Sequence, residues 1–309
     1  MVLFTANKPL ARAENINAVF SAYDGNKTFV YTNPAIFTPE LTSKRYRIRV
    51  ADEFVTTSPG KCIHIGHGIS GGKTYGLDQP RPYYHERYAH LLTYVITTSK
   101  DMIPLVAKQC GVPTEKVLPL GMPRTDMYFG TKKGDGKTPY ADKRMYLYAP
   151  TFRANTETPA PDIDWDYIDS VLTDDEILVV KPHMITRYIL KKHYGHIIEA
   201  PSDQPSAPYL IDCDVLITDY SSIMFDAHVL EKPVVLFEKL KGYIRTRGMY
   251  FHYPEEYASR YCTNEHDLID VLRDADAPQD VDIKCRNMTA GACDGHSTER
   301  VCELIKSLL

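Results

Sequence analysis

No apolar run in the sequence approaches the roughly 18 residues of a membrane-spanning helix, so no span is expected. The opening residues, MVLFTANKPLARAENINAVF, have neither the basic start nor the long apolar core of a signal peptide, which suits a cytoplasmic chain. The seven cysteines (Cys62, Cys110, Cys213, Cys262, Cys285, Cys293 and Cys302) are odd in number and scattered, with no C-x-x-C pair. That argues against a disulfide framework or a cysteine zinc site and for reduced thiols. Internal repeats, heptads and low-complexity tracts are missing as well. No D-x-D or similar carboxylate pair ends a strand-like run, so neither metal ligands nor a cofactor is expected. The net charge is −4, and nothing suggests a nucleic acid partner. That total hides an asymmetry: residues 1–140 hold 18 Lys+Arg and 11 Asp+Glu, a net of +7, and the remainder carries −11. A basic first half suits an anionic partner, such as a membrane surface or a phosphorylated acceptor, although charges can also merely solvate each surface.

What is present is an alternation of short apolar, β-branched runs with helical spacing, over a length sufficient for two α/β domains. The clearest unit is CDVLITDYSSIMFDAHVLEKPVVLF, Cys213 to Phe237. Val215 to Thr218 read as a buried parallel strand, Asp219 to Ser222 as a polar turn, and Ile223 to Leu230 as a helix. Lys232-Pro233 stops that helix, and Val234 to Phe237 form the next strand. A polar turn between a parallel strand and a helix N-terminus is where open α/β sheets bind ligands, and it attracts phosphate. Ser221 and Ser222 can donate hydroxyls to such a phosphate, or they can simply cap the helix.

Other strand ends carry chemistry. Cys62 to Ile65 run into Gly66-His67-Gly68, where flanking glycines leave the imidazole approachable and make His67 a candidate general base. The following Ile69 to Lys73 is glycine-rich but lacks Walker A spacing. Arg153 ends the strand Met145 to Ala149 and can clamp a phosphate. His183 follows the strand Ile177 to Val180. Lys44 to Val50, KRYRIRV, alternates basic with apolar or aromatic residues, as an exposed edge strand or a wall facing an anionic acceptor. Helical spacing covers Tyr83 to Tyr94, and Gly130 to Arg144, without apolar pattern, reads as an interdomain linker. Domains are therefore expected at 1–135 and 145–309, with the last helix, Thr298 to Leu309, returning across the two.

These residues fall in blocks that resemble the CDP-glycerol glycerophosphotransferase family of teichoic acid and capsule synthesis. The blocks are DVLITDYSSIMFD (Asp214 to Asp226), GMPRTD (Gly121 to Asp126), APTFR (Ala149 to Arg153), KPH (Lys181 to His183), RGMYF (Arg247 to Phe251) and CDGHSTERV (Cys293 to Val301). The resemblance implies a GT-B-like fold, two Rossmann-type doubly wound domains facing across a cleft, the first binding the acceptor and the second the CDP donor. It implies catalytic roles for His67 and His183, with His67 deprotonating the acceptor hydroxyl. Arg153, Asp219, Ser221, Ser222 and Arg247 would hold the donor diphosphate and nucleotide, and Asp294 to Thr298 would lie near the nucleotide. The implied partners are CDP-glycerol or CDP-ribitol and a lipid-pyrophosphate-linked saccharide, met at the inner face of the plasma membrane. The family's W-H-G-T-P-L-K is replaced here by Gly66-His67-Gly68-Ile69-Ser70-Gly71-Gly72-Lys73. Two rival readings remain: another GT-B enzyme using a UDP-sugar, and a non-catalytic nucleotide-binding subunit of a wall-polymer complex.

Overall fold

Among the described residues the apolar runs assemble into two six-stranded sheets in which every hydrogen-bonded strand pair is parallel. The computed structural model describes residues 1–32, 38–52, 57–72, 88–151, 162–183, 189–239 and 248–309. The chain divides into two units, Met1–Phe129 with Asn287–Leu309, and Gly130–Arg286.

In the first unit the described elements are β1 (Val2–Ala6), α1 (Glu14–Ala22), β2 (Lys27–Tyr31), β3 (Ile48–Ala51), β4 (Lys61–His64), β5 (Tyr94–Thr97), α2 (Ile103–Cys110) and β6 (Val117–Pro119). The strand order is β2-β1-β3-β4-β5-β6, so winding reverses between β1 and β3. β1 and β3 are buried along their whole length; β1 reads accordingly as an almost continuous apolar run, whereas β3 carries Arg49 within it. The core joins Phe4, Ile48, Val50 and Ile63 to Ile16 and Val19 of α1.

The second unit contains β7 (Arg144–Tyr148), α3 (Trp165–Val171), β8 (Glu176–Val180), β9 (Ile197–Glu199), α4 (Ala207–Asp212), β10 (Val215–Thr218), α5 (Ile223–Val229), β11 (Val234–Phe237), β12 (Arg260–Cys262), α6 (Glu265–Arg273) and most of α7 (Asp280–Ala290). Its order, β12-β11-β10-β7-β8-β9, is that of the dinucleotide-binding fold, with winding reversed between β7 and β10. The chain then returns to the first unit, where α8 (Ser297–Leu308) buries Val301 and Ile305 in the first core.

Three elements differ from the sequence reading. Lys44 to Val50 is not an edge strand with a basic outer face. Only Ile48 onward is strand, β3 lies between β1 and β4, and Arg49 points inward. Its buried guanidinium donates from Nε to Thr5 Oγ1 (2.9 Å) and from Nη1 to the Thr57 carbonyl. The exposed members, Lys44, Arg45 and Arg47, precede the strand, at the opposite end of the sheet from His67. Gly130 to Arg144 is not a loose linker either. Buried Asp212 accepts Gly134 N (2.8 Å), Gly136 N (2.9 Å), Thr138 N (2.8 Å) and Thr138 Oγ1 (2.7 Å), which docks the loop onto the second unit. The units accordingly divide at Phe129/Gly130, and the return to the first unit begins at Asn287, ahead of the last helix. Of the span Tyr83 to Tyr94, residues 83–87 lie outside the described residues; Tyr88 is helical, as read, but a short 3-10 turn at Ala89–Leu91 follows it and Tyr94 begins β5.

Candidate functional site

In the second unit the site grows out of the reversal between β7 and β10, where carboxyl ends of strands diverge and leave room for a ligand. The ladder between these strands continues past their ends. Ala149 N donates to the Ile217 carbonyl (2.9 Å), and Thr218 Oγ1 donates to the Ala149 carbonyl (2.7 Å). Asp219, buried, then accepts Thr151 N and its neighbour Tyr220 N on the same oxygen, each at 2.7 Å. Its carboxylate therefore fixes the turn rather than presenting itself to solvent. Tyr220 is buried behind the turn, with its hydroxyl on Glu238, which also accepts Tyr261 OH at 2.7 Å. Burial, reinforced by Glu238, pushes the Tyr220 hydroxyl pKa upward, so it stays a hydrogen-bond donor.

The turn hands Ser221, half-buried, and Ser222, exposed, to the start of α5. Ser222 occupies the N-cap position but its side chain makes no capping bond. The simple capping alternative is therefore not what the Ser222 hydroxyl does here.

The end of β8 lies on the other side of β7, and Lys181 N donates to the Tyr148 carbonyl at 2.8 Å. Lys181 is buried, its ammonium facing the carbonyls of Pro182 (3.2 Å) and Ser202 (3.4 Å), and burial lowers its pKa. His183, two residues on, is exposed. Hence His183, Asp219, Ser221 and Ser222 are all borne at the carboxyl edge of one parallel sheet. Arg153 and Arg247, and with Arg247 the start of the RGMYF block, lie outside the described residues.

In the first unit, β4 delivers His67. Ile65 N still pairs with the Ala51 carbonyl (2.8 Å), and Gly66, at φ +68°, then turns the chain out of the sheet. His67 is 48% exposed, with Nδ1 4.0 Å from Oδ2 of Asp52, which follows β3 and is 2% exposed. At that distance the carboxylate faces the imidazole without a hydrogen bond to it. Lys73 lies outside the described residues.

Sequence reasoning missed Asp52, Asn15 and Thr151. Asp52 is the first acidic residue after the apolar β3 run, a signal that could have marked it. Asn15, buried in the first turn of α1, donates Nδ2–H to the Gly66 carbonyl (3.1 Å) and accepts Arg124 N on Oδ1 (3.0 Å). The GMPRTD block splits into separate tasks. Gly121, at φ +85°, admits no Cβ, which would come within 2.3 Å of Ser297 Oγ and 2.4 Å of the Ala292 carbonyl oxygen. Asp126 accepts Ser297 N (3.0 Å) and Thr298 N (2.6 Å), capping α8. Asp294 pairs with Arg300 through both oxygens at 2.8 Å. Within Asp294 to Thr298 these bonds serve the helix that completes the first unit.

A two-unit Rossmann-like fold with phosphate-type turns is shared by many nucleotide-using enzymes; comparison with known proteins narrows it. The family model of CDP-glycerol:poly(glycerophosphate) glycerophosphotransferases matches residues 38–307, and the chain belongs to this family. A teichoic acid poly(ribitol-phosphate) polymerase of Bacillus spizizenii is 30% identical over 234 residues, covering 69% of this chain and 38% of the polymerase. A teichoic acid glycerol-phosphate primase of the same species is 28% identical over 279 residues, 85% of this chain and 69% of the primase. The chain thus spans well under half of the polymerase. Among solved structures, the wall teichoic acid polymerase TagF superposes with a TM-score of 0.77 at 18% identity, over 100% of this chain and 88% of that one. A TagF variant has also been solved after a soak with CDPG.

Proposed function

We propose that this protein transfers a polyol phosphate, in the first instance glycerol phosphate, from a CDP-linked donor to a hydroxyl of a lipid-pyrophosphate-linked saccharide. The observation that carries the reading is the turn at the β7/β10 reversal. Asp219 is committed to holding the backbone, and Ser221 and Ser222 are left to meet a phosphate beside a helix N-terminus. Family membership supplies the donor class, and the TagF soak supports a CDP-linked donor. The acceptor oxygen attacks the phosphorus bearing the glycerol, and His67 takes its proton. The bond from that phosphorus to the bridging oxygen breaks, and CMP leaves with the electron pair. Ser221, Ser222 and His183 donate to the diphosphate as negative charge gathers on the departing CMP. The basic excess of the first half supports work at an anionic membrane surface; among the described residues no helix is long and apolar enough to cross one.

The test is CMP release from CDP-glycerol by the purified protein with a short-chain lipid-pyrophosphate saccharide. Acceptor-dependent CMP supports the reading. UMP or UDP release from a UDP-sugar in its place would overturn it. The relative named as a ribitol-phosphate polymerase favours one second reading, in which the donor is CDP-ribitol. A panel of the two donors, with product masses, decides between them.

A further inference from the structure

The strands of the first sheet pair in parallel, so they all start at one edge, and that edge is lined with cations. β2 begins at Lys27 and β4 at Lys61, while Arg47 and Lys116 immediately precede β3 and β6. Register keeps the row nearly level. Val2 of β1 is flanked by Lys27 and Ile48, Ile48 by Lys61, and Lys61 N donates to the Arg47 carbonyl at 3.0 Å. In the order β2-β1-β3-β4-β5-β6, at roughly 4.8 Å per strand, the row spans about 24 Å from Lys27 to Lys116. Lys44 and Arg45 lead into Arg47, and all three are exposed, as is Lys61.

Little inside the molecule neutralises these charges. Lys27, Lys61 and Lys116 give their ammonium groups to carbonyls, those of Phe20 and Tyr23, of Leu308 (3.0 Å) and of Leu92 (2.8 Å) respectively. A carbonyl orients a cation without cancelling its charge. Among the described residues no carboxylate lies within ion-pair distance of Lys27, Lys44, Arg47, Lys61 or Lys116. Asp24, exposed ahead of β2, pairs with Lys306 (3.1 Å) and feels Lys27 only from further off, and Glu115 is exposed beside Lys116. His67 lies at the other edge, since β4 carries the chain from Lys61 through His64 to the Gly66 turn. The row can therefore rest on a surface without covering the imidazole.

We propose that this row is a docking surface for an anionic lipid bilayer. A bilayer is a plane of negative charge, and cations held level by strand register meet it together. Each basic residue near such a surface is worth about fivefold in binding, and the sum fades as salt rises. A nucleic acid is the poorer fit, because among the described residues the row carries no exposed aromatic ring on which a base could stack; Tyr46, beside Arg45, is buried. The choice of a bilayer rests on the proposed function, in which the acceptor is lipid-linked. What is added is the face that meets the lipid, with the His67 edge on the far side of the sheet.

The test needs no turnover. The intact protein is floated with vesicles of phosphatidylglycerol and phosphatidylcholine in equal parts, and with phosphatidylcholine alone. Binding confined to the anionic vesicles, and lost as salt is raised, is expected; no binding to them at low salt overturns the inference. Lys44→Gln, Arg47→Gln and Lys61→Gln together should lower the partition coefficient by about a hundredfold. Lys44→Gln with Arg47→Gln alone, whose side chains hold nothing else in the described fold, should lower it by about twentyfold at an unchanged melting temperature. The comparison is Lys132→Gln, Lys137→Gln and Lys284→Gln, all exposed in the second unit, which should partition as wild type does. An equal loss in that variant would show that net charge alone binds, and would overturn the surface. Tighter retention on single-stranded RNA than on the vesicles at the same salt would overturn it too. CMP release from a detergent-dispersed acceptor by a protein that ignores the vesicles would sink this inference and leave the proposed reaction standing. Vesicle binding through the row without CMP release would do the reverse.

Discussion

At the scale of single residues, the two candidate sites make opposite demands on their carboxylates. Asp52 stands behind an exposed imidazole, whereas Asp219 accepts two backbone amides on one oxygen. Replacing His67 with Ala should lower kcat by roughly 10²–10⁴, the usual worth of a general base. Donor binding should be largely kept, and turnover near wild type would remove His67 from the base role. Changing Ser221 and Ser222 together to Ala should weaken CDP-glycerol binding by about tenfold or more, the worth of at least roughly one hydrogen bond to a charged group. Because Ser222 makes no capping bond, the melting temperature should hardly move. Isothermal titration beside a thermal melt separates the two effects, and unchanged affinity would return the serines to an ordinary turn. His67, Ser221 and Ser222 were legible because each sits where an apolar run stops. Asn15 was not, since a lone amide within an apolar stripe looks like any interruption of helical periodicity.

Among elements, the strand–turn–helix–strand from Cys213 to Phe237 was readable almost to the residue. Buried parallel strands are continuous in hydrophobicity, and Lys232-Pro233 ends the helix between them. The stretch 130–143 was misread for a physical reason. Its order comes from main-chain amides converging on Asp212, and amides leave no trace in side-chain pattern. Arg49 shows the converse: the stretch alternates in sequence, but β3 is buried on both faces, and Thr5 and Thr57 accept from an inward guanidinium where periodicity alone puts charge outside. α7 escaped notice because its apolar residues do not share one stripe, and Ile283 is exposed. The capping of α8 by Asp126 is a long-range bond that no local rule anticipates. Asp126→Ala should cost about 1–2 kcal/mol, since two helix-end amides lose their acceptor. Urea unfolding gives the number, and a loss below about 0.5 kcal/mol would mean that water replaces the carboxylate without cost.

For the whole molecule, the largest acid-labile contribution to stability among the described residues lies in the second unit, at Glu176. Burial alone would raise the Glu176 pKa, but bonds from Arg273, Tyr146 and Thr173 outweigh it and hold the carboxyl at about 2 instead of its ordinary 4.5. Asp212 is likewise held below the usual range: burial opposes the shift, and the Thr138, Gly134 and Gly136 bonds prevail. A depressed carboxylate contributes stability that is complete above its unfolded pKa and lost as pH falls through the folded one. For Glu176 that contribution is on the order of 3 kcal/mol. Glu176→Gln should therefore destabilise the protein at pH 6, and its deficit against wild type should shrink as pH falls from about 5 to 2. Urea midpoints across that interval check this, and a deficit independent of pH would show that packing, not charge, is what Glu176 supplies.

The return of the chain through α8 also sets an order of events during synthesis. The second unit, Gly130–Arg286, is continuous and is synthesised before the first unit owns all its parts. Val301 and Ile305, both fully buried in the first core, are made after it. Domains that emerge first usually fold first, but here the segment that begins the chain must wait, with Phe4, Ile16 and Val50 lacking their final cover, until residues some three hundred positions later arrive. A released chain that ends after Arg286 would thus carry all the residues of the nucleotide-type unit joined to a His67 unit whose core lacks Val301 and Ile305, a form open to chaperones and proteases at that core.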